Sequence, residues 1–323
     1  MKTLDFDDIK NISNSISYKT YFEWVDYALK NKNSFKMPSK TRIHQDNSDY
    51  FAIMPCLYEK ENVLAVKTIG RHEIKNESDC RPVMMSDIVL YDSNTGALKA
   101  LMDCEYITTL RTGVSAAHSA LLFARSDYKT MGLIGIGNIM VAFLSSFLEC
   151  YDKRELLLKV FKHKGQEKRV ESIVDSFADE TKACVKIEYY DSYEKVIAGS
   201  DIVVSAVTKA EENFCNDDIF KTGCTIIPIC TKGFMNCDLT FDKVFTDEKE
   251  QIKDFKYYNY FKSLNSVSDV LNKNAEGRKN NAERIIVYNY GLAIHDLFFA
   301  LRFLEFSNAK ETIYRYCKTR FFM

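Results

Sequence analysis

The segment Met131-Gly132-Leu133-Ile134-Gly135-Ile136-Gly137-Asn138-Ile139-Met140 limits what this chain can fold into more than any other stretch. Residues 130–136 read as an apolar strand that runs straight into a glycine turn. Helical spacing follows over 138–150, with Met140, Phe143, Leu144, Phe147 and Leu148 on one face. Gly135 lets the strand turn sharply. Gly137 puts no side chain between the backbone and an approaching group. The free N–H groups at the start of the helix, together with its positive dipole end, suit a pyrophosphate. This order of strand, glycine turn and helix predicts a dinucleotide site on Gly135, Gly137, Asn138 and Ile139. Met140 replaces the third glycine of the usual fingerprint.

Strands alternate with helices downstream of Lys129. Strands are expected over 155–161, 185–190, 201–207, 224–229 and 244–247, with helices over 166–180 and 192–198. Such a series folds as a parallel, doubly wound sheet of the Rossmann type. The preceding residues read as mixed α/β: a helix over 18–30, strands over 50–54, 63–69 and 87–91, and a turn at Asp92-Ser93-Asn94-Thr95-Gly96. Residues 111–124 form a helix rich in Ala and Ser, whose low bulk suits tight packing between layers. The tail over 285–306 reads as a strand or turn and then a long apolar helix.

The residues after strand 155–161 bear on the cofactor. A carboxylate there would hold a ribose 2′-hydroxyl, but the sequence is Lys162-His163-Lys164, with Lys168 and Arg169 close behind. Basic groups suit a 2′-phosphate by charge pairing. NADP(H) is therefore favoured over NAD(H), which stays open.

Composition excludes other classes. With 44 basic and 45 acidic residues the formal charge is -1, which gives no global field toward nucleic acid or an anionic membrane. No apolar run reaches membrane-spanning length, and the first residues lack the pattern of a signal peptide. The ten cysteines include no C-x-x-C pair, and Cys224, Cys230 and Cys237 match no metal spacing. They read as reduced thiols of a cytoplasmic protein, and no metal site is expected.

Five pieces, in order, resemble the ornithine cyclodeaminase/mu-crystallin family. They are Lys40-Thr41-Arg42 with Met54-Pro55 and Val66-Lys67-Thr68-Ile69-Gly70; the turn 92–98; Ile107-Thr108-Thr109-Leu110-Arg111-Thr112-Gly113 and the helix after it; the glycine turn; and Tyr290-Gly291-Leu292-Ala293-Ile294-His295-Asp296. The resemblance implies a dinucleotide-binding domain over 128–284. It also implies a substrate-binding and dimerisation domain made of 1–127 with 285–323, hence a homodimer. Family members move a hydride at the carbon bearing an amino acid's nitrogen. By the same resemblance Arg42 and Arg111 bind the substrate carboxylate, Met54 lies on the site wall, and Lys67 is the active-site lysine. Thr112 and Thr208 lie beside the cofactor. Lys67 either holds the carboxylate or, with its proton loosened by burial, polarises a carbonyl and moves a proton.

One position departs from the pattern. Ornithine cyclodeaminases carry an aspartate where ungapped alignment puts Lys232, and Cys230 replaces the preceding glycine. A lysine repels the ammonium group that the aspartate serves, which argues against ornithine cyclisation. It suits a second carboxylate, a keto acid or a carbonyl oxygen. Residues 66–70 also resemble a branch that cleaves amino-acid opines, for which Lys67, Arg71, Arg81, Arg111 and Lys232 form a basic set. The expected activity is an NAD(P)-dependent oxidoreductase acting on a C–N bond of a small amino-acid-derived substrate. Keto-acid reduction of the alanine dehydrogenase kind and NADPH-dependent storage of a small ligand are the alternatives.

Overall fold

The structure is a computed structural model that describes residues 1–45, 49–72, 82–152, 155–208, 210–229 and 232–316. Its elements run in chain order as follows. The first are β1 (Lys2–Leu4), α1 (Phe6–Ser13), α2 (Tyr18–Lys30), β2 (Phe35–Lys36), β3 (Thr41–His44), β4 (Tyr50–Tyr58) and β5 (Val63–Arg71). Next come β6 (Met84–Asp92), β7 (Leu98–Asp103), α3 (Glu105–Phe123), β8 (Thr130–Ile134), α4 (Asn138–Cys150), β9 (Leu156–Phe161), α5 (Lys168–Asp175) and α6 (Asp179–Cys184). The rest are β10 (Val185–Tyr190), α7 (Tyr193–Ile197), β11 (Ile202–Ser205), β12 (Thr225–Pro228), α8 (Cys237–Thr240), β13 (Lys243–Thr246), β14 (Leu264–Ser266), α9 (Val267–Leu271), β15 (Ile285–Tyr288) and α10 (Ala293–Phe306).

The chain divides into two compact units, one of residues 1–16, 31–108 and 293–323, the other of 17–30 and 109–292. The sequence division at 127/128 and 284/285 follows the start and end of strand–helix alternation. The contacts group 17–30 and 109–127 with the dinucleotide sheet instead. Glu149 of α4 accepts from the Tyr18 and Lys19 N–H groups and so caps α2, and α3 meets α4 at Gly113.

In the first unit a seven-stranded sheet runs β1-β7-β6-β5-β4-β2, with β3 paired to β4. Alternation decides its faces: Ala52, Met54, Cys56 and Tyr58 of β4 are buried, as are Val63, Ala65, Lys67 and Ile69 of β5. α10 packs against β4, β5 and β6. In the second unit eight strands run β10-β9-β8-β11-β12-β15-β13-β14, all parallel. The doubly wound sheet beside a mixed α/β region is the fold expected from the sequence. The strand order reverses between β8 and β11, the switch point where open α/β sheets bind ligands. Among the described residues no helix is long and apolar enough to cross a membrane, and no group of three metal-ligating side chains occurs.

Candidate functional site

In the second unit the glycine turn sits at the carboxyl end of β8. Gly135 has φ +83°, and a Cβ there would lie 2.9 Å from the Ala206 carbonyl carbon and the Val207 nitrogen. Only glycine combines that backbone with that closeness. Gly137 is the N-cap of α4 and offers no side chain to its N–H groups. A Cβ at Gly137 would meet nothing within 4 Å. An uncapped helix start facing an open cradle fits a pyrophosphate. Beside it is a cavity of about 340 Å³ lined by Gly135, Gly137, Phe161, His163, Gln166, Tyr193, Ala206, Val207 and Thr208. Phe161 and Tyr193 stand 4.2 Å apart by ring centroid and form its aromatic wall. The residues present therefore fit a dinucleotide.

Of the three basic residues after β9, His163 lines this cavity. Lys162 is exposed, its backbone N–H bonds to the Tyr190 carbonyl, and its charge acts on Asp191. Lys164 is exposed with φ +53°. Two neighbours add polar groups: Arg169, which the sequence reading named, and Glu167, which it did not. Glu167 folds back to accept from the His163 N–H at 3.4 Å, and Arg169 Nη1 donates to Asn138 Oδ1 at 3.3 Å. Arg169 thus puts a guanidinium at the first residue of α4. Ile139 is half-buried there, and Thr208 is exposed at the cavity edge.

Also in the second unit, Arg111 of α3 is buried, 5% exposed, and Thr112 beside it is half-buried. The guanidinium lies against Gly291: φ there is +86°, and a Cβ would fall 2.5 Å from Arg111 Nη1. Asp247 Oδ2 accepts from the Gly291 N–H at 2.8 Å and holds that turn in place. Lys232 is exposed. Cys230 lies outside the described residues.

In the first unit, register puts Arg42 opposite Ala52, and Met54 opposite Lys67. All share the sheet face covered by α10. Arg42 is exposed on the edge strand β3, its guanidinium 5.4 Å from the Tyr50 ring centroid. Met54 is buried. Lys67 is fully buried: Nζ donates to Asp296 Oδ1 at 2.9 Å and to Thr108 Oγ1 at 2.6 Å. Asp296 comes from the first turn of α10 and is itself 1% exposed. Burial and this carboxylate push the Cys56 thiol up to about 12, so it stays neutral. Of the wider basic set, Arg71 ends β5 and Arg81 lies outside the described residues. The roles of Asp296, Thr108 and Gly291 were missed from sequence, although all three stand inside the quoted family pieces. Their place inside those pieces was the signal available.

The model of the ornithine cyclodeaminase/mu-crystallin family matches residues 3–311. The chain belongs to that family. It is 26% identical over 275 residues to the nodulation efficiency protein NfeD of Rhizobium meliloti, covering 82% of both chains. It is 24% identical over 285 residues to the N-((2S)-2-amino-2-carboxyethyl)-L-glutamate dehydrogenase of Staphylococcus aureus, again covering 82% of both. Among solved structures it resembles the Δ1-pyrroline-2-carboxylate reductase of Thermococcus litoralis in complex with NADH and L-proline. That match has a TM-score of 0.79 and 23% identity, covering 95% of this chain and 97% of the other. The family match takes in both the glycine turn and the α10 segment that supplies Asp296.

Proposed function

We propose that this chain is an NADP(H)-dependent oxidoreductase that reduces an imine, or oxidises the matching amine, on a small amino-acid-derived carboxylate. The open cradle at Gly137, set at the switch point of a parallel sheet, carries the reading. The bound nicotinamide would supply or accept the hydride. The chain's own residues would bind and orient: Arg111 and Arg42 take the carboxylate as planar, two-pronged donors. Lys67 directs a hydrogen bond at the reacting group, and Met54 closes an apolar wall. Lys232 stands where ornithine cyclisation needs a carboxylate, which supports a substrate with a further acidic or carbonyl oxygen. The dehydrogenase relative of Staphylococcus aureus acts on a substrate with several carboxylates by its name, and this agrees with that choice.

For the cofactor, no carboxylate directly follows β9, and His163 together with Arg169 borders the cradle. Both points favour NADP(H). The enzyme works as a homodimer, a reading supported by the apolar outer face of its seven-stranded sheet. Its free thiols suit the reducing cytoplasm.

The test has two stages. Nicotinamide fluorescence on titration with NADPH and NADH should show both binding, NADPH the tighter. NADPH should then be consumed with Δ1-pyrroline-2-carboxylate, or with 2-oxo acids plus amines. Binding without consumption of NADPH on any of these would leave a ligand-storing protein instead.

A further inference from the structure

We propose that Glu167 reads the 2′ position of the cofactor's adenosine ribose. It supplies, from the turn ahead of α5, the carboxylate that the end of β9 lacks, and so lets the site accept NADH beside NADPH. The inference rests on the reading of the glycine turn as a dinucleotide site, and it names the group that tempers cofactor choice there.

The chain reverses immediately after β9. The Gln166 N–H donates to the His163 carbonyl at 3.0 Å, and the two residues between them have positive φ, +53° at Lys164 and +73° at Gly165. Two left-handed residues in succession make a two-residue turn of the kind that closes hairpins. Glu167 is the residue that comes back over the strand end. It is half-buried, and its Oε2 accepts from the His163 N–H at 3.4 Å. Although it is the N-cap of α5, its side chain bonds no N–H of that helix. The carboxylate is turned to the strand end instead.

His163 and Gln166, the two ends of this turn, both line the cavity beside Gly135 and Gly137. In doubly wound folds the adenosine ribose meets the end of the strand that follows the glycine turn, where an acidic side chain accepts from the 2′-hydroxyl. Here that strand end is His163, and the carboxylate on its N–H belongs to Glu167. Two other carboxylates stand nearby. Glu171 accepts from the Tyr189 hydroxyl at 2.6 Å, and Asp191 pairs with Lys195 at 3.1 Å. Among the described residues Glu167 alone of the three hydrogen-bonds the cavity wall.

Charge gives this placement its consequence. A carboxylate accepts strongly from a ribose hydroxyl. A 2′-phosphate at the same point meets a like charge. The cations of this edge pull the other way: Lys162, Lys164 and Lys168 are exposed, and Arg169 Nη1 is held on Asn138 Oδ1 at 3.3 Å. Cofactor choice is then a balance in which the basic residues favour NADPH and Glu167 retains NADH.

Glu167→Gln keeps an acceptor for the His163 N–H and removes only the charge. Titrations followed by nicotinamide fluorescence at low salt should show the variant binding NADPH about 3- to 10-fold more tightly than the wild type, and NADH about 2- to 5-fold more weakly, as fits one half-exposed charge. In about 0.5 M potassium chloride screening should shrink this change in the Kd ratio. Glu167→Lys should carry the ratio further in the same direction. Equal changes in both affinities, a ratio that stays at its wild-type value, or a change that salt leaves intact would overturn the inference and leave the proposed function standing. A wild type that binds neither dinucleotide would overturn both.

Discussion

At the residue scale, Gly291 is held by two constraints at once. Its φ of +86° is a region that side chains avoid, and a Cβ would strike the Arg111 guanidinium at 2.5 Å. Gly291→Ala should therefore push Arg111 off its place. Losing one charge-assisted hydrogen bond costs about 1.5–3 kcal/mol, so the KM for a carboxylate imine should rise about 10- to 100-fold. NADPH affinity, measured by fluorescence, should hold; equal loss of both would make the effect general unfolding. A second residue sets a pH dependence. Asp238 is buried, accepts from the Tyr288 hydroxyl at 2.6 Å, and is pushed by burial up to about 6. Its folded state holds the proton more tightly than its unfolded state, whose ordinary value is 3.8. Stability is then full below about pH 4 and falls as pH rises through 6. A shift of that size is worth about 3 kcal/mol. Asp238→Asn keeps an acceptor for Tyr288 and removes the titration. Urea unfolding from pH 4 to pH 7 should show wild-type stability falling relative to this variant, and parallel curves would dismiss the idea.

At the scale of elements, the close contact of α3 with α4 turns on Gly113. A Cβ there would lie 2.5 Å from the Phe143 nitrogen and 2.6 Å from the Ile139 carbonyl oxygen. The small-residue helix expected from sequence packs backbone to backbone at this point. Since α3 carries Arg111 and Thr112 while the start of α4 faces the cradle, Gly113→Ala should loosen cofactor binding as well as the fold. Overpacking of this kind costs about 1–3 kcal/mol. Denaturant unfolding should show that loss together with weaker NADPH binding, and tight binding in a destabilised protein would uncouple the two. Elements with strong periodicity were legible: α2, α4 and β10 run over the residues the sequence indicates. The helix expected over 166–180 breaks into α5 and α6, with the Ser176 hydroxyl donating to the Ile173 carbonyl at the break. α3 starts six residues before its expected first residue, at Glu105. The β-branched Ile107, Thr108 and Thr109 masked that turn, while Asp103 Oδ1 accepts from the Glu105 N–H and secures it. β3 escaped detection because all four of its residues are exposed and show no alternation. The site was half legible for a similar reason. The glycine turn is local in sequence, whereas the pairings of Lys67 with Asp296 and of Arg111 with Gly291 join residues far apart in the chain.

At the scale of the whole molecule, the first unit's sheet has one face under α10 and one without helical cover among the described residues. Register lays two apolar rows on the second face, separated by the row of Ile53, Thr68, Asp87 and Asp103. Pro55, Val66, Val89 and Leu101 form one row across β4, β5, β6 and β7, and Phe51, Gly70 and Met85 form another. Phe51 is 51% exposed, Met85 44% and Leu101 37% in the single chain. An exposed apolar area of this breadth calls for a partner. A second copy joined about a twofold axis would bury the same rows on both chains. Stable interfaces bury about 1,200–2,000 Å² in all, a range that a face four strands wide can reach. Leu101→Glu puts one carboxylate into that face, and twofold symmetry puts in two. A buried, uncompensated charge costs about 3–5 kcal/mol, so two should weaken association by at least about 10,000-fold. Sedimentation or light scattering should give twice the chain mass for the wild type and one chain mass for Leu101→Glu. The inner face is untouched by the change, so the monomer should keep the buried Lys67–Asp296 pair. A wild type that stays monomeric at micromolar concentration, or a Leu101→Glu variant that stays dimeric, would place the interface elsewhere.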